Sequence, residues 1–208
     1  MPFETDHFFM FVRDQHEAET LMRESGLRVN YSRAHPGQGT RNLCACLDDV
    51  FLELLWLDDT PISAESERIS LGTRGRGHGS PLGIAWRGDP EFETEAYNAP
   101  FLPEGMAIPV ASASLDPALP FVFGSPGGAR PVDWANELAG SRQSPGLLTM
   151  GSCRVVAPAP ETTAILLQDF PNIEVAEGEW GLEFELCNES GNVAKTVRWR
   201  CNQKSSVG

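Results

Sequence analysis

Basic residues are scarce in this 208-residue chain: 16 Lys+Arg stand against 29 Asp+Glu, a net charge of -13. Such a surface repels phosphate backbones and anionic bilayers, which disfavours nucleic-acid and membrane partners. No uninterrupted apolar run is long enough to span a bilayer, and the amino terminus carries Glu4 and Asp6 where a signal peptide would carry bases. A soluble, cytoplasmic protein is expected. Cysteines are few, odd in number and scattered (44, 46, 153, 187, 201), without the spacing of a disulfide framework, so reduced thiols are expected. There is no Gly-x-Ser-x-Gly elbow and no cysteine active-site signature. Gly72–Gly79 lacks the Lys-Ser/Thr ending of a phosphate-binding loop, and Ser80 stands where the dinucleotide fingerprint needs its third glycine.

What is present reads first as strand, helix, strand, strand, strand. Asp6–Val12 alternates His7, Phe9 and Phe11 with other apolar residues, as a strand covered on both sides would. Asp14 with Glu17 three residues on is a capping-box-like start for a helix that Gly26 ends. Strands are expected at 27–33, 41–47 and 50–57, the last two joined by Asp48-Asp49. A short exposed helix at 63–70 and a mobile Gly-Arg loop holding Arg74, Arg76 and His78 follow. Beyond these, the pattern suggests a strand at 82–87, a helix at 91–98, strands near 107–112 and 120–123, then strand, helix and strand at 148–175 and strands at 181–187 and 195–199. The order at 148–175 echoes that at 6–33, and Leu182-Glu183-Phe184-Glu185-Leu186 echoes Phe51-Leu52-Glu53-Leu54, which favours duplicated modules.

Chemistry concentrates in two places. The turn His35-Pro36-Gly37-Gln38-Gly39-Thr40-Arg41-Asn42 can present His35, Arg41 and Asn42 to a ligand, or its polar groups can simply satisfy the turn itself. The apolar strand behind it carries one carboxylate, Glu53, which needs a partner if buried; His7 on the first strand is the candidate. Cys44 and Cys46 would share a strand face as buried small thiols, without a second pair to make a zinc site.

Asp6-His7, the octapeptide turn and Phe51-Leu52-Glu53-Leu54 together resemble the glyoxalase-like domain of the vicinal oxygen chelate (glyoxalase/bleomycin resistance/dioxygenase) superfamily. Gly83–Arg87 and Leu119–Phe123 resemble later strands of the same domain. The resemblance implies an α+β fold of paired βαβββ modules, with curled mixed sheets around a shared pocket. The whole chain is then one such domain: first module 5–57, linker 58–80, degenerate second half 81–202 and a frayed tail at 203–208. In metal-using members each module supplies a His or Gln from its first strand and a Glu from its fourth. His7 and Glu53 hold those positions here, while 82–87 offers no His or Glu and 119–123 no carboxylate.

Two functional readings follow. In one, His7 and Glu53 hold a divalent ion (Mn, Fe, Zn or Ni), with Glu183 or Glu185 and His35 completing the set. Glu53 then serves as ligand or proton-transfer base in a lyase, isomerase or dioxygenase acting on a small oxygen-rich metabolite. In the other, the pocket sequesters a small molecule without metal, as bleomycin-resistance members do. His35, Arg41, Asn42 and Trp86 are the candidate substrate contacts, with Phe9, Phe11, Leu55, Phe121 and Phe123 as further wall. A third reading is an interaction protein that forms a homodimer through strand edges.

Overall fold

The computed structural model describes residues 2–134, 143 and 146–201; the tail expected at 203–208 lies outside them. The first module is β1 (Glu4–Phe11), α1 (Gln15–Glu24), β2 (Tyr31–His35), β3 (Thr40–Cys46) and β4 (Phe51–Leu57). Asp14 caps α1 by accepting from the Glu17 backbone N–H at 2.9 Å, and Glu17 reaches back to the Arg13 N–H at 2.8 Å. Gly26 follows the helix with φ +59, the left-handed conformation that glycine adopts without steric cost. β2 starts four residues later than its apolar alternation suggests. Gln143 takes both backbone groups of Arg28 at 2.8 Å, so that residue is satisfied by a side chain, and the first backbone bond to β3 is from Asn30 N–H to the Cys44 carbonyl at 2.8 Å.

Two short helices, α2 (Ala64–Arg68) and α3 (Leu71–Gly75), lead to the second module: β5 (Leu82–Arg87), β6 (Thr94–Tyr97), β7 (Ile108–Ala111) and β8 (Phe121–Gly124). The helix expected at 91–98 is absent. Thr94–Tyr97 pairs antiparallel with β7, and the Tyr97 hydroxyl is tied to Ser66 and Gln38, so tertiary partners override local propensity. The two modules form one eight-stranded sheet in the order β2-β3-β4-β1-β5-β8-β7-β6. In each module the first strand lies parallel to the fourth, and β1 joins β5 antiparallel at the centre.

The segment from 149 on forms a separate four-stranded sheet, order β10-β9-β11-β12, from β9 (Thr149–Ala157), α4 (Pro160–Leu167), β10 (Ile173–Glu177), β11 (Gly181–Cys187) and β12 (Val193–Arg200). The echo between 6–33 and 148–175 holds in element order and fails in pairing. β9 pairs directly with β10, whereas β1 pairs with β4, and the counterpart of the first module is 82–124. The small sheet packs behind the large one, with the Phe8 and Phe184 rings 5.3 Å apart. Phe8, Met10, Leu52 and Leu54 are therefore fully buried on the back, and His7, Phe9, Glu53 and Leu55 are left for the front.

The Gly-Arg loop is not the mobile linker its composition suggests. Arg74 is fully buried, its guanidinium donating to the carbonyls of Ser80, Ser114, Asp116, Pro117 and Leu119. Only Arg76 and His78 stay exposed, and Arg76 pairs with Glu67 at 3.0 Å. The glycines permit this compaction: a Cβ on Gly75 would lie 2.6 Å from Leu57 Cγ.

Candidate functional site

A cavity of about 370 Å³ opens on the front of the large sheet. Strand alternation decides what lines it: His7 and Phe9 from β1, Glu53 and Leu55 from β4, Asn42 from β3, and Tyr31, Arg33 and His35 from β2. The second module closes the other side with Tyr97, Ile108, Phe121 and Phe123. Gly83 matters to this wall because a Cβ there would stand 2.0 Å from Phe9 Cε1. The Phe9 ring is itself wedged against Phe11, Phe121 and Phe123 and cannot simply swing away. Gly83→Ala should therefore cost about 1–3 kcal/mol by overpacking, read as a lower urea midpoint with unchanged slope.

Glu53 is buried on the cavity floor, and its Oε1 accepts from Asn42 Nδ2 at 2.6 Å. Its Oε2 lies 3.7 Å from His7 Nε2, beyond hydrogen-bond length and near enough to share a proton through a third atom. The His7 ring is clamped by stacking on Phe51 (4.1 Å, 16°) and by the edge of Phe123. Its Nδ1 lies 2.6 Å from Asp6 Oδ1, while Asp6 Oδ2 accepts from Arg87 Nε at 3.0 Å. Burial alone would raise the Asp6 pKa. The hydrogen bond from His7, the charges of His7 and Arg87 and a hydrogen bond from Ser125 outweigh it and hold the carboxyl below its ordinary value. An ionised Asp6 can only accept, so His7 Nδ1 carries a proton and donates it to that hydrogen bond, and Nε2 faces Glu53.

Adjacent strand residues normally point to opposite faces, so Asp6 should not reach the ring of His7. A register irregularity between Thr5 and His7 in the β1–β5 pairing removes that constraint.

A second polar chain runs under the mouth. Tyr97 donates to Gln38 Oε1 at 3.1 Å, Gln38 Nε2 donates to Thr40 Oγ1 at 2.7 Å, and Thr40 Oγ1 lies 2.9 Å from His35 Nδ1. With Gln38 so oriented, the Thr40 hydroxyl gives its proton to Nδ1, and His35 keeps its own on Nε2. Burial lowers the His35 pKa, helped by the charges of Arg33 and His7 and opposed by Glu53 and Asp58, so the ring is a neutral donor at neutral pH. The sign for stability follows: the unfolded chain binds this proton more readily than the folded one. Stability should fall as pH drops below about 6.5 toward the lower folded value. That limb should shrink in His35→Gln, as measured by urea midpoints between pH 7 and 5. The Asp6 contribution is lost only in the more acid range, as pH falls from about 3.9 through its lowered folded value.

Of the residues singled out from sequence, the fold brings together His7, Glu53, His35 and Asn42. Arg41 is on the opposite face of β3, its Nε 3.3 Å from Asp58 Oδ2, because it alternates with Thr40 and Asn42. Trp86 is buried against Phe3 and Phe92 on the far side of β5 and does not line the cavity. Phe11 backs Phe9 without lining the cavity. Glu183 is ion-paired with Arg154, Arg198 and Arg200 on the other sheet, and Glu185 accepts from Ser152 there, so neither joins His7 and Glu53. Sequence reasoning missed Arg33, which shares strand parity with Tyr31 and His35. It also missed Gln38 and Tyr97, whose pairing spans 59 positions.

The donor set does not fit a protein-held divalent ion. His7 Nε2 and Glu53 Oε2 are two donors, and no group of three or more His, Cys, Asp or Glu side chains converges among the described residues, where such sites use three or four. On β5 and β8, only Phe121 and Phe123 line the cavity, and neither carries a ligating atom. Cys44 is buried and its thiol is pushed well up by burial, with the Glu53 charge adding to the shift.

The family model for the glyoxalase-like domain matches residues 5–117, more than half of the chain. No curated protein matches. Among solved structures, a hypothetical protein from Staphylococcus aureus aligns with 98% of this chain and 87% of its own, at 10% identity and a TM-score of 0.50. A triple mutant of 4-hydroxymandelate synthase from Streptomyces coelicolor aligns over 95% and 62%, at 18% identity and 0.46. A variant of the methylmalonyl-CoA epimerase of the same organism, in complex with 2-nitronate-propionyl-CoA, aligns over 60% and 96%, at 16% identity and 0.40. With this match over more than half of its length, the chain belongs to the glyoxalase-like domain family.

Proposed function

We propose that the cavity binds a small oxygen-bearing metabolite and that Glu53, with His7, moves a proton on it without a protein-held metal, as in an isomerase or lyase. The observation that carries this reading is the pairing at the floor. Glu53 is fixed by Asn42 through one oxygen, and its other oxygen faces Nε2 of a His7 ring that Asp6 holds through Nδ1. A carboxylate so held in an apolar-walled cavity is a base with little to reorganise when a C–H bond beside a carbonyl loses its proton. The proton goes to Glu53 and is returned from it to the product carbon, while His7 Nε2 lies 3.7 Å from the accepting oxygen.

The test is solvent-deuterium incorporation into a panel of small 2-oxo acids and 1,2-dicarbonyl compounds, followed by NMR. Glu53-dependent exchange is the expected result. Tight binding without exchange would favour the sequestration reading, for which the aromatic wall of Phe9, Phe51, Phe121 and Phe123 is the supporting observation.

A further inference from the structure

The reading above leaves the ligand's charge open, and the β2 edge of the cavity bears on it. Arg33 lines the cavity and is its one Lys or Arg side chain among the described residues. Most arginines here rest on a carboxylate, as Arg41 does on Asp58, Arg87 on Asp6 and Arg130 on Glu4. Arg33 pairs with none among the described residues. Its guanidinium carbon is instead held 5.0 Å from the ring centre of Tyr31, a cation–π seat that fixes the group and leaves its N–H edges unspent. Its backbone N–H is given to Asn42 Oδ1 at 2.7 Å, so the Asn42 that grips Glu53 also fixes the main chain carrying Arg33.

His35 projects from the same face two residues on, about 7 Å along the strand. The geometry points to an anion subsite formed by Arg33 and the His35 Nε2–H at the mouth of the cavity, taking the carboxylate of a flat, apolar-bodied monocarboxylic acid. This inference rests on the proposed use of the cavity for a small oxygen-bearing compound.

Three features narrow the ligand to that class. Tyr31, Phe51 and Trp134 form an aromatic corner beside Arg33, with centroids 5.8–6.2 Å apart, suited to a planar apolar body. Burial raises the Tyr31 phenol far above its ordinary value, helped by neighbouring Cys44, so it offers Arg33 no negative charge in place of a ligand. Asp6 is already matched by Arg87, and Glu53 stands behind the anion site. One cation with one neutral donor suits a single negative charge, and a dianionic phosphate would bring a second charge toward Glu53.

The test is titration of the full-length protein with benzoate and its neutral isostere benzamide, by calorimetry and ¹H NMR. Charge-assisted hydrogen bonds predict about 10- to 100-fold tighter binding of benzoate, weakening with added salt. Arg33→Gln, at an exposed side chain on an edge strand, should fold normally and erase the difference, and Arg33→Lys should restore part of it. Glu53→Gln should leave benzoate binding unchanged or tighter. Equal binding of the two probes, or binding of neither, would overturn the subsite. Arg33-dependent benzoate binding together with a failure of deuterium exchange would retain the subsite and remove the proton-transfer role alone.

Discussion

Replacing Arg74 with Met should destabilise the protein by on the order of 4 kcal/mol or more, and lower its thermal midpoint by about 10 °C. The guanidinium is fully buried and pairs with no carboxylate among the described residues. Five carbonyls solvate it: Ser80 at 3.3 Å, Ser114 at 2.7 Å, Asp116 at 3.0 Å, Pro117 at 3.2 Å, and Leu119. Its carbon also lies 5.6 Å from the Phe121 ring centre. Burial lowers its pKa to about 10, against the charge of Asp116, so it stays cationic at neutral pH. A methionine fills comparable space and leaves these carbonyls without their donor in the interior, at about 1–3 kcal/mol for each group that water cannot reach. The loop 114–119 that they hold leads directly into β8, whose Phe121 and Phe123 wall the cavity, so ligand binding should weaken in parallel. Arg74→Lys keeps a charge and three donors and should recover part of the loss. A Met variant with a near-native urea midpoint would show that the arginine does not hold the loop.

Glu53→Gln should have the largest effect on activity and a small one on folding. Glutamine keeps an oxygen for Asn42 Nδ2 and nearly the same volume, so the urea midpoint should shift by about 1 kcal/mol or less. It cannot accept the substrate proton, and deuterium exchange should fall by about 10²- to 10⁴-fold, the usual worth of a placed general base.

Much of this was legible in the sequence because it depends on local pattern. The capping pair Asp14 and Glu17, the turn at 36–39 and the strand 51–57 are each written in adjacent residues, and together they mark the family and pair His7 with Glu53. Arg41 was misjudged because turn chemistry was weighed ahead of strand parity: it precedes Asn42 by one position and must face the other way. Trp86 fails for the same reason beside Ala85. Arg74 was hidden by its context, since Gly-Thr-Arg-Gly-Arg-Gly-His-Gly has the composition of a solvated loop and its five carbonyl partners lie 6–45 positions away. The Asp6–His7 contact depends on a strand irregularity that no local signal announces. The sheet from 149 on imitates the first module in order and differs in pairing, a distinction made only by long-range hydrogen bonds.

The account stands most directly on the rate of deuterium exchange in chelator-stripped protein confirmed metal-free, measured beside Glu53→Gln on the same 2-oxo acid panel. The stripped wild type is expected to keep its full rate and the variant to lose it. A stripped protein that is inert until Mn, Fe, Zn or Ni is restored, or a variant that exchanges as fast as the wild type, would contradict a metal-free proton transfer at Glu53.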